Sequence, residues 1–307
     1  MSSEARNILV VSHTGRSDSL EAAVQVVAQI LEAGAVPVVQ RDERDEICAS
    51  ASGLASERLA VLHEDVSPAD LELVIVLGGD GTILRAAEIV RGFSAPILGV
   101  NLGHVGFLAE SERDDLADAV HRVIARDYLV EERMTLSVRV KRDSEVVFET
   151  WALNEATVEK ASRERMLEVV IEVDGRPLSS FGCDGVVVST PTGSTAYAFS
   201  AGGPVIWPSV EAITMVPLSA HALFARPIVV GPDSSLAIEV LKRTDATGVL
   251  WCDGRRTHNL EPGARVVVRR SSVPVRLARL HESPFTDRLV QKFHLPVSGW
   301  RGPAPRD

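Results

Sequence analysis

Gly78-Gly79-Asp80-Gly81-Thr82 sets one carboxylate among three glycines, directly after the apolar run Leu73 to Leu77. If that run is a strand and a helix follows it, the backbone N–H groups of Gly78, Gly79, Gly81 and Thr82 converge with the helix dipole on an anion. The missing side chains then let a phosphate approach closely. No lysine follows the last glycine, so this is not a Walker A loop, and the Gly-x-Gly-x-x-Gly dinucleotide fingerprint is absent as well. What the turn has instead is Asp80, a carboxylate beside a bound phosphate, suited to take the proton of an attacking hydroxyl during phosphoryl transfer. The same five residues also read as a plain β-α turn in which Asp80 caps the helix.

A second glycine cluster runs from Gly99 through Asn101, Gly103, His104 and Gly106 to Leu108, again just after an apolar run. On the carboxyl edge of a parallel sheet the two loops would face one cleft, although three glycines there can equally make a tight crossing. Cys183 to Ser200 forms a third element, in which Thr190, Thr192, Ser194, Thr195 and Ser200 surround Gly193 and Tyr197. Such a stretch can hydrogen-bond ribose and base edges and offers a ring to stack on, or it is an ordinary Ser/Thr-rich turn. Asn154-Glu155 and Asp253-Gly254 stand at the ends of apolar runs as turn or strand-terminus pairs.

The elements that must position these groups change character along the chain. Ile8 to Val11, then Leu20, Val24, Val27 and Leu31 at helical spacing with Gly34 as a stop, then Val36 to Val39, predict a β-α-β unit. Residues 41 to 66 are charged and weakly periodic, which predicts a mobile connection with at most one short helix. Leu73 to Leu77 and Pro96 to Val100 predict further strands. Helices are predicted over about Ile83 to Val90 and about Asp114 to Ile124. After Glu132 alternation takes over, as in Leu136-x-Val138-x-Val140, with hairpin turns at Asp174-Gly175 and Asp253-Gly254. Strands are expected up to Val275 to Leu280, and Ser283 and Pro284 then open a last helix to Phe293, with a frayed tail after Leu295. The predicted division is 1–132 plus 284–307 as an α/β domain, and 133–283 as a β-rich domain.

A net charge of −10 on 307 residues argues against nucleic acid, whose phosphates need clustered cations. Arg265, Arg269, Arg270, Arg276 and Arg279 sit among alternating valines and leucines and read as solvated strand faces. Cys48, Cys183 and Cys252 are widely spaced, without zinc-ligand spacing, which fits a reducing compartment. The polar, acidic start and the lack of a long apolar run predict a cytoplasmic protein that no membrane holds.

Taken in order, Gly-Gly-Asp-Gly-Thr, Gly-Val-Asn-Leu-Gly-x-x-Gly-Phe-Leu, Leu-Asn-Glu and Thr-Pro-Thr-Gly-Ser-Thr-Ala-Tyr, then Ser200 and Gly202-Gly203-Pro204, resemble the NAD kinase family from about residue 8 to 293. The first motif is shared with diacylglycerol, sphingosine and phosphofructo-kinases; the hydroxyl-rich one is particular to NAD kinases. The resemblance implies a Rossmann-like parallel α/β domain, a β-sandwich-like second domain supplying much of the NAD site, and a last helix returning to the first domain. It implies phosphoryl transfer from ATP or inorganic polyphosphate to the 2′-hydroxyl of the adenosine ribose of NAD, in a homodimer or homotetramer. Asp80 would be the general base with Gly81 beside the nucleotide, and Arg85 would contact phosphate. Asn154 and Glu155 would hold ribose or base groups, Arg165 and Asp184 would lie at the edge of the dinucleotide site, and Thr195, Ala196, Tyr197, Ala198, Phe199 and Ser200 would line it. A divalent cation, Mg²⁺, is expected to arrive with the donor, held by its phosphates and water rather than by protein ligands. The donor preference, use of NADH, control by NADPH and the role of Arg255, where some members carry Gln, stay open. Two rivals stand beside this reading: a lipid or sugar kinase of the wider superfamily, and a nucleotide sensor without turnover.

Overall fold

The computed structural model describes residues 5–13, 15–51, 55–103, 106–162, 165–243, 246–281 and 284–297. The chain divides into two compact units: Met1–Glu132 with Val275–Asp307, and Arg133–Pro274.

The first unit runs β1 (Asn7–Ser12), α1 (Ser17–Glu32), β2 (Val36–Val39), α2 (Arg41–Ser50), β3 (Ala60–Val61), β4 (Leu71–Leu77), α3 (Asp80–Ile89), β5 (Ile97–Asn101), β6 (Ser111–Glu112), α4 (Leu116–Ala125) and β7 (Leu129–Arg133). Ile8 to Val11 and Leu73 to Leu77 are buried without alternation, as parallel strands covered on both faces must be. On α1 the core face is Ala22, Ala23, Val26, Val27 and Ile30. Leu20, Val24 and Leu31, the larger residues of the predicted stripe, pack at its margin. Small alanines let the helix sit close to the sheet, a contact that hydrophobic size alone does not signal.

The second unit follows with β8 (Leu136–Arg142), β9 (Glu145–Ala152), β10 (Glu155–Lys160), β11 (Leu167–Val173), β12 (Arg176–Cys183), β13 (Gly185–Ser189), α5 (Tyr197–Ser200), β14 (Ile213–Leu218), β15 (Ile228–Val230), β16 (Leu236–Val240), β17 (Gly248–Cys252), β18 (Arg256–Leu260) and β19 (Arg265–Arg270). Among the described residues these strands make two six-stranded antiparallel sheets, ordered β15-β14-β13-β10-β17-β18 and β12-β11-β16-β19-β8-β9. Leu136, Val138 and Val140 of β8 join Val186, Val188 and Leu250 of the other sheet in one core, with Arg139 and Lys141 turned away. Asp174-Gly175 and Asp253-Gly254 have positive φ at both residues (52° and 74°; 53° and 65°), as two-residue hairpin turns that match strand twist require. Pro217 hides β14 from sequence reasoning. It is tolerated because pairing to β15 stops at Met215.

The chain then returns with β20 (Val275–Arg279) and α6 (Phe285–Phe293). Val275–Arg279, assigned by pattern to the β-rich domain, instead joins the first unit's sheet, where Leu277 pairs in parallel with Ile97. Its Val-Arg-Leu-Ala-Arg pattern suits a parallel strand as well as a sandwich strand, and periodicity cannot separate the two. The parallel sheet is ordered β3-β2-β1-β4-β5-β20-β7, with β6 on β5. The described residues of the segment, 41–51 and 55–66, are also more ordered than their composition predicts. α2 buries Ile47 and Glu43, and β3 pairs with β2. The expected cap Ser283, His104 and the tail from 298 lie outside the described residues. Among the described residues no helix is long and apolar enough to cross a membrane.

Candidate active site

β1 and β4 are adjacent in the sheet, with Ser12 opposite Leu77, and the chain leaves them in opposite directions toward β2 and β5. The carboxyl ends of such strands are where open α/β sheets bind ligands. Gly78 continues β4 by donating its N–H to Val100 O at 3.0 Å. A Cβ on Gly78 would stand 2.6 Å from Thr82 Oγ1, so the turn closes this tightly only with glycine there. α3 begins at Asp80 with Gly79 as its cap residue and no side-chain capping bond. Asp80 is therefore not a helix cap. Its Oδ2 and Oδ1 accept the N–H groups of Phe107 and Leu108, each at 3.1 Å. The second glycine cluster thus holds the carboxylate of the first, and Gly106 leaves the room, since a Cβ there would strike Asp80 Oδ1.

A cavity of about 130 Å³ lies beside this turn, lined by His13, Arg16, Ser19, Gly78, Gly79, Thr82, Asn101, Leu102 and Gly103. α1 also starts without a side-chain bond from its N-cap residue, and the N-termini of both helices are close to the cavity. Its wall carries the His13 imidazole and the Arg16 guanidinium, the latter paired with Asp18 at 3.0 Å. Sequence reasoning did not single out His13, Arg16 or Ser19 as site residues. Their position just past the first strand of a β-α-β unit was the available signal.

Arg85, one turn along α3, is already engaged. Its Nη2 donates to Glu43 Oε1 at 2.5 Å and to Ser12 O at 2.8 Å. Glu43 is buried, and its Oε2 accepts the Ser12 N–H. Burial holds the Glu43 carboxyl above its ordinary range, while Arg85 and the Ser12 amide pull it back.

In the second unit, the Asp253-Gly254 turn points a buried carboxylate at the segment entering β10. Asp253 accepts Leu153 N–H at 2.9 Å and Asn154 N–H at 2.7 Å, and pairs with Arg256 Nη2 at 2.7 Å. Arg256 lies over the Trp151 ring, 4.5 Å from its centroid. Glu155, next along, is 7 % exposed, and its Oε2 has no hydrogen-bond partner among the described residues. Burial, with the Asp253 carboxylate beside it, pushes Glu155 up to about 8, against a Tyr197 N–H bond that lowers it. Burial raises Asp253 as well, but its amides and the Arg256 guanidinium pull it back, whereas Glu155 has a single such bond and is the carboxyl that keeps the proton.

That assignment fixes a pH dependence. The folded protein retains the Glu155 proton between 4.5 and about 8 while the unfolded chain releases it. Its contribution to folding is therefore complete below pH 4.5 and is lost as pH rises through about 8. Denaturant midpoints taken from about pH 5 to about pH 9 should fall more in the wild type than in Glu155→Gln. Parallel curves would remove the proton from Glu155.

The hydroxyl-rich segment spends most of its hydroxyls on its own shape. Thr190 Oγ1 donates to Leu153 O at 2.6 Å and accepts Gly193 N–H at 3.1 Å, while Ser194 Oγ donates to Pro191 O at 2.7 Å and accepts Ile206 N–H at 2.9 Å. Gly193 is pressed against the Asn154 backbone, where a Cβ would collide with its carbonyl. This ties the segment to Asn154-Glu155. Ala198 is fully buried on Val187 and Val216, so only its backbone can face a ligand. Tyr197, Phe199 and Ser200 are exposed, and Thr195 and Ala196 are half-buried. Burial and the carboxylates of Glu159, Glu155 and Asp184 raise the Tyr197 phenol above its ordinary range, placing these acids in electrostatic reach of one ring. Asp184 pairs with Lys160 at 2.5 Å, and Arg165 is exposed just ahead of β11. Among the described residues no group of three or more His, Cys, Asp or Glu side chains is placed to hold a metal ion.

Comparison with known proteins agrees with both halves of this arrangement. Residues 8–128 match the ATP-NAD kinase N-terminal domain, and residues 153–280 match the ATP-NAD kinase C-terminal domain. A protein of Leifsonia xyli named NAD kinase is 70 % identical over 302 residues, covering 98 % of this chain and 99 % of that one. NAD kinase 2 of Streptomyces coelicolor is 59 % identical, with 97 % of each chain covered. The fold is also that of yeast NADH kinase solved with NADH, at a TM-score of 0.86 and 24 % identity over 97 % of this chain and 90 % of the other. Two domain models in sequence and near-complete identity-bearing alignments leave one assignment: the chain belongs to the NAD kinase family of phosphotransferases.

Proposed function

We propose that the protein transfers the terminal phosphoryl group of ATP or inorganic polyphosphate to the 2′-hydroxyl of the adenosine ribose of NAD, giving NADP. The observation that carries this reading is Asp80, oriented by two backbone N–H groups at the mouth of the phosphate-binding turn. Each carboxylate oxygen keeps a second lone pair, so Asp80 can accept the 2′-hydroxyl proton as the new O–P bond forms and the donor's bridging P–O bond breaks. The N–H groups of Gly79 and Gly81 hold donor phosphate, those of Gly78 and Thr82 being spent on Val100 O and Gly79 O, and the His13 and Arg16 side chains offer further donors beside the cavity. The donor enters as its magnesium complex, whose ion offsets charge on the phosphoryl oxygens. Arg85 contributes to the phosphate field from its anchor on Glu43.

In the second unit, Glu155 meets a ribose or base group with its unpartnered Oε2, beside Asn154. Tyr197 and Phe199 offer exposed rings for stacking, Thr195, Ala196, Ala198 and Ser200 frame them, and Arg165 and Asp184 lie at the margin. A dimer or tetramer belongs to the same reading, supported by exposed Trp207, Leu223 and Phe224. So does a reducing, cytoplasmic setting, supported by free Cys48, Cys183 and Cys252.

The test is direct. Purified protein is incubated with NAD or NADH and Mg²⁺, with ATP and polyphosphate in separate arms, and product is read by an NADP-specific dehydrogenase. NADP formation is expected; phosphorylation of a lipid or sugar with no NADP would overturn the reading.

A further inference from the structure

The peptide that holds Asp80 is itself held from its other end. Leu108 N–H donates to Asp80 Oδ1, and the carbonyl of that same peptide group, Phe107 O, accepts Arg288 Nη1 of α6 at 3.1 Å. The next carbonyl, Leu108 O, accepts Arg279 Nη1 at 3.2 Å. Both guanidiniums converge on Glu110, at 2.9 Å from Arg279 and 2.6 Å from Arg288. The Glu110 side chain is wholly buried, and its other oxygen accepts Leu280 and His281 N–H at 3.1 Å each. The Phe107 ring lies between Phe285 and Phe293 of the same helix, with centroids 6.0 and 5.7 Å away. The segment from Phe107 to Glu110 is thus clamped by α6 and β20, across separations of 169 to 181 residues.

We infer that Arg288 is a positioning residue for the reaction, acting through the Phe107–Leu108 peptide on Asp80. Two effects follow from the geometry. A cation on the carbonyl oxygen polarises the peptide and makes its N–H a stronger donor to the carboxylate. The buried network also fixes where that N–H stands, and so where Asp80 can present its lone pair. The inference rests on Asp80 being the base, and the experiment separates the two claims.

Arg288→Gln and Arg288→Lys are made in the wild type and in Asp80→Asn, with folding checked by circular dichroism. Arg288→Gln should lower kcat by about tenfold to a hundredfold, with KM for NAD and ATP within about twofold. Arg288→Lys keeps a charge for Glu110 but not the fork that also reaches Phe107 O, and should lose about threefold to tenfold. In the Asp80→Asn background either change should cost less than about twofold, since a positioning effect has nothing left to position. The same fold-loss in both backgrounds, or a rise in KM at constant kcat, overturns the role of Arg288. If Arg288→Gln fails to fold, the Arg288→Lys cycle decides by the same criterion. Near-full activity of Asp80→Asn alone would instead sink the base assignment.

Discussion

Asp80→Asn is expected to lower kcat by about two to four orders of magnitude while NAD affinity changes little. Asparagine has the shape of aspartate but cannot accept the 2′-hydroxyl proton. It also turns one acceptor into a donor, and both carboxylate oxygens now receive an N–H, from Phe107 and from Leu108. The amide can keep one of these bonds and must oppose the other, which costs about 1–3 kcal/mol of local stability. The loss of turnover should therefore exceed anything explained by the small drop in melting temperature. Steady-state kinetics with NAD and MgATP, calorimetric NAD binding and a thermal melt on one preparation separate the two. Turnover within a few-fold of wild type would remove Asp80 from the chemistry.

Gly106→Ala tests the same carboxylate without touching its proton chemistry. The added methyl would overlap Asp80 Oδ1 and lie 3.1 Å from its Cγ. Phe107 and Leu108 follow in the chain, so relief must come from swinging Asp80 away from their N–H groups. A shift of this kind should lower kcat by about tenfold to a thousandfold, because general-base geometry tolerates little displacement. The accompanying loss of stability should stay near 1–3 kcal/mol, the usual cost of one methyl too many. KM for NAD should change less than kcat. Gly231→Ala, whose methyl meets nothing within 4 Å, is the control. If Gly106→Ala keeps wild-type kcat, the second glycine cluster is not the support of Asp80.

Much of this was legible along the chain because it is local. The strand, turn and helix around Asp80 occupy consecutive residues, and the Asp174-Gly175 and Asp253-Gly254 hairpins are set by backbone preferences of the turn residues themselves. The hydroxyl-rich segment was legible as a motif but not as a structure. Thr190 and Ser194 are buried and satisfied by neighbouring backbone, so the hydroxyls that looked like ligand contacts mainly build the loop. Arg85 gave the opposite lesson. Its spacing from Asp80 was visible, but its partner Glu43 sits in a segment whose composition reads as a loose connection.

The sequence by itself determined a carboxylate within a glycine turn between a strand and a helix, and the phosphotransferase family that carries that motif. It also determined the succession of an α/β part and a β-rich part, since periodicity and turn residues act over short stretches. Only the tertiary structure decided what holds each functional group. Asp80 rests on amides 27 and 28 positions away, the Asn154-Glu155 corner rests on Asp253 about a hundred away, and Arg288 reaches Phe107 across 181. It also decided that Val275–Arg279 completes the parallel sheet rather than the sandwich. The physical reason is common to all of these. Backbone amides and apolar strands carry no address in the sequence, and their partners are chosen by how the whole chain packs.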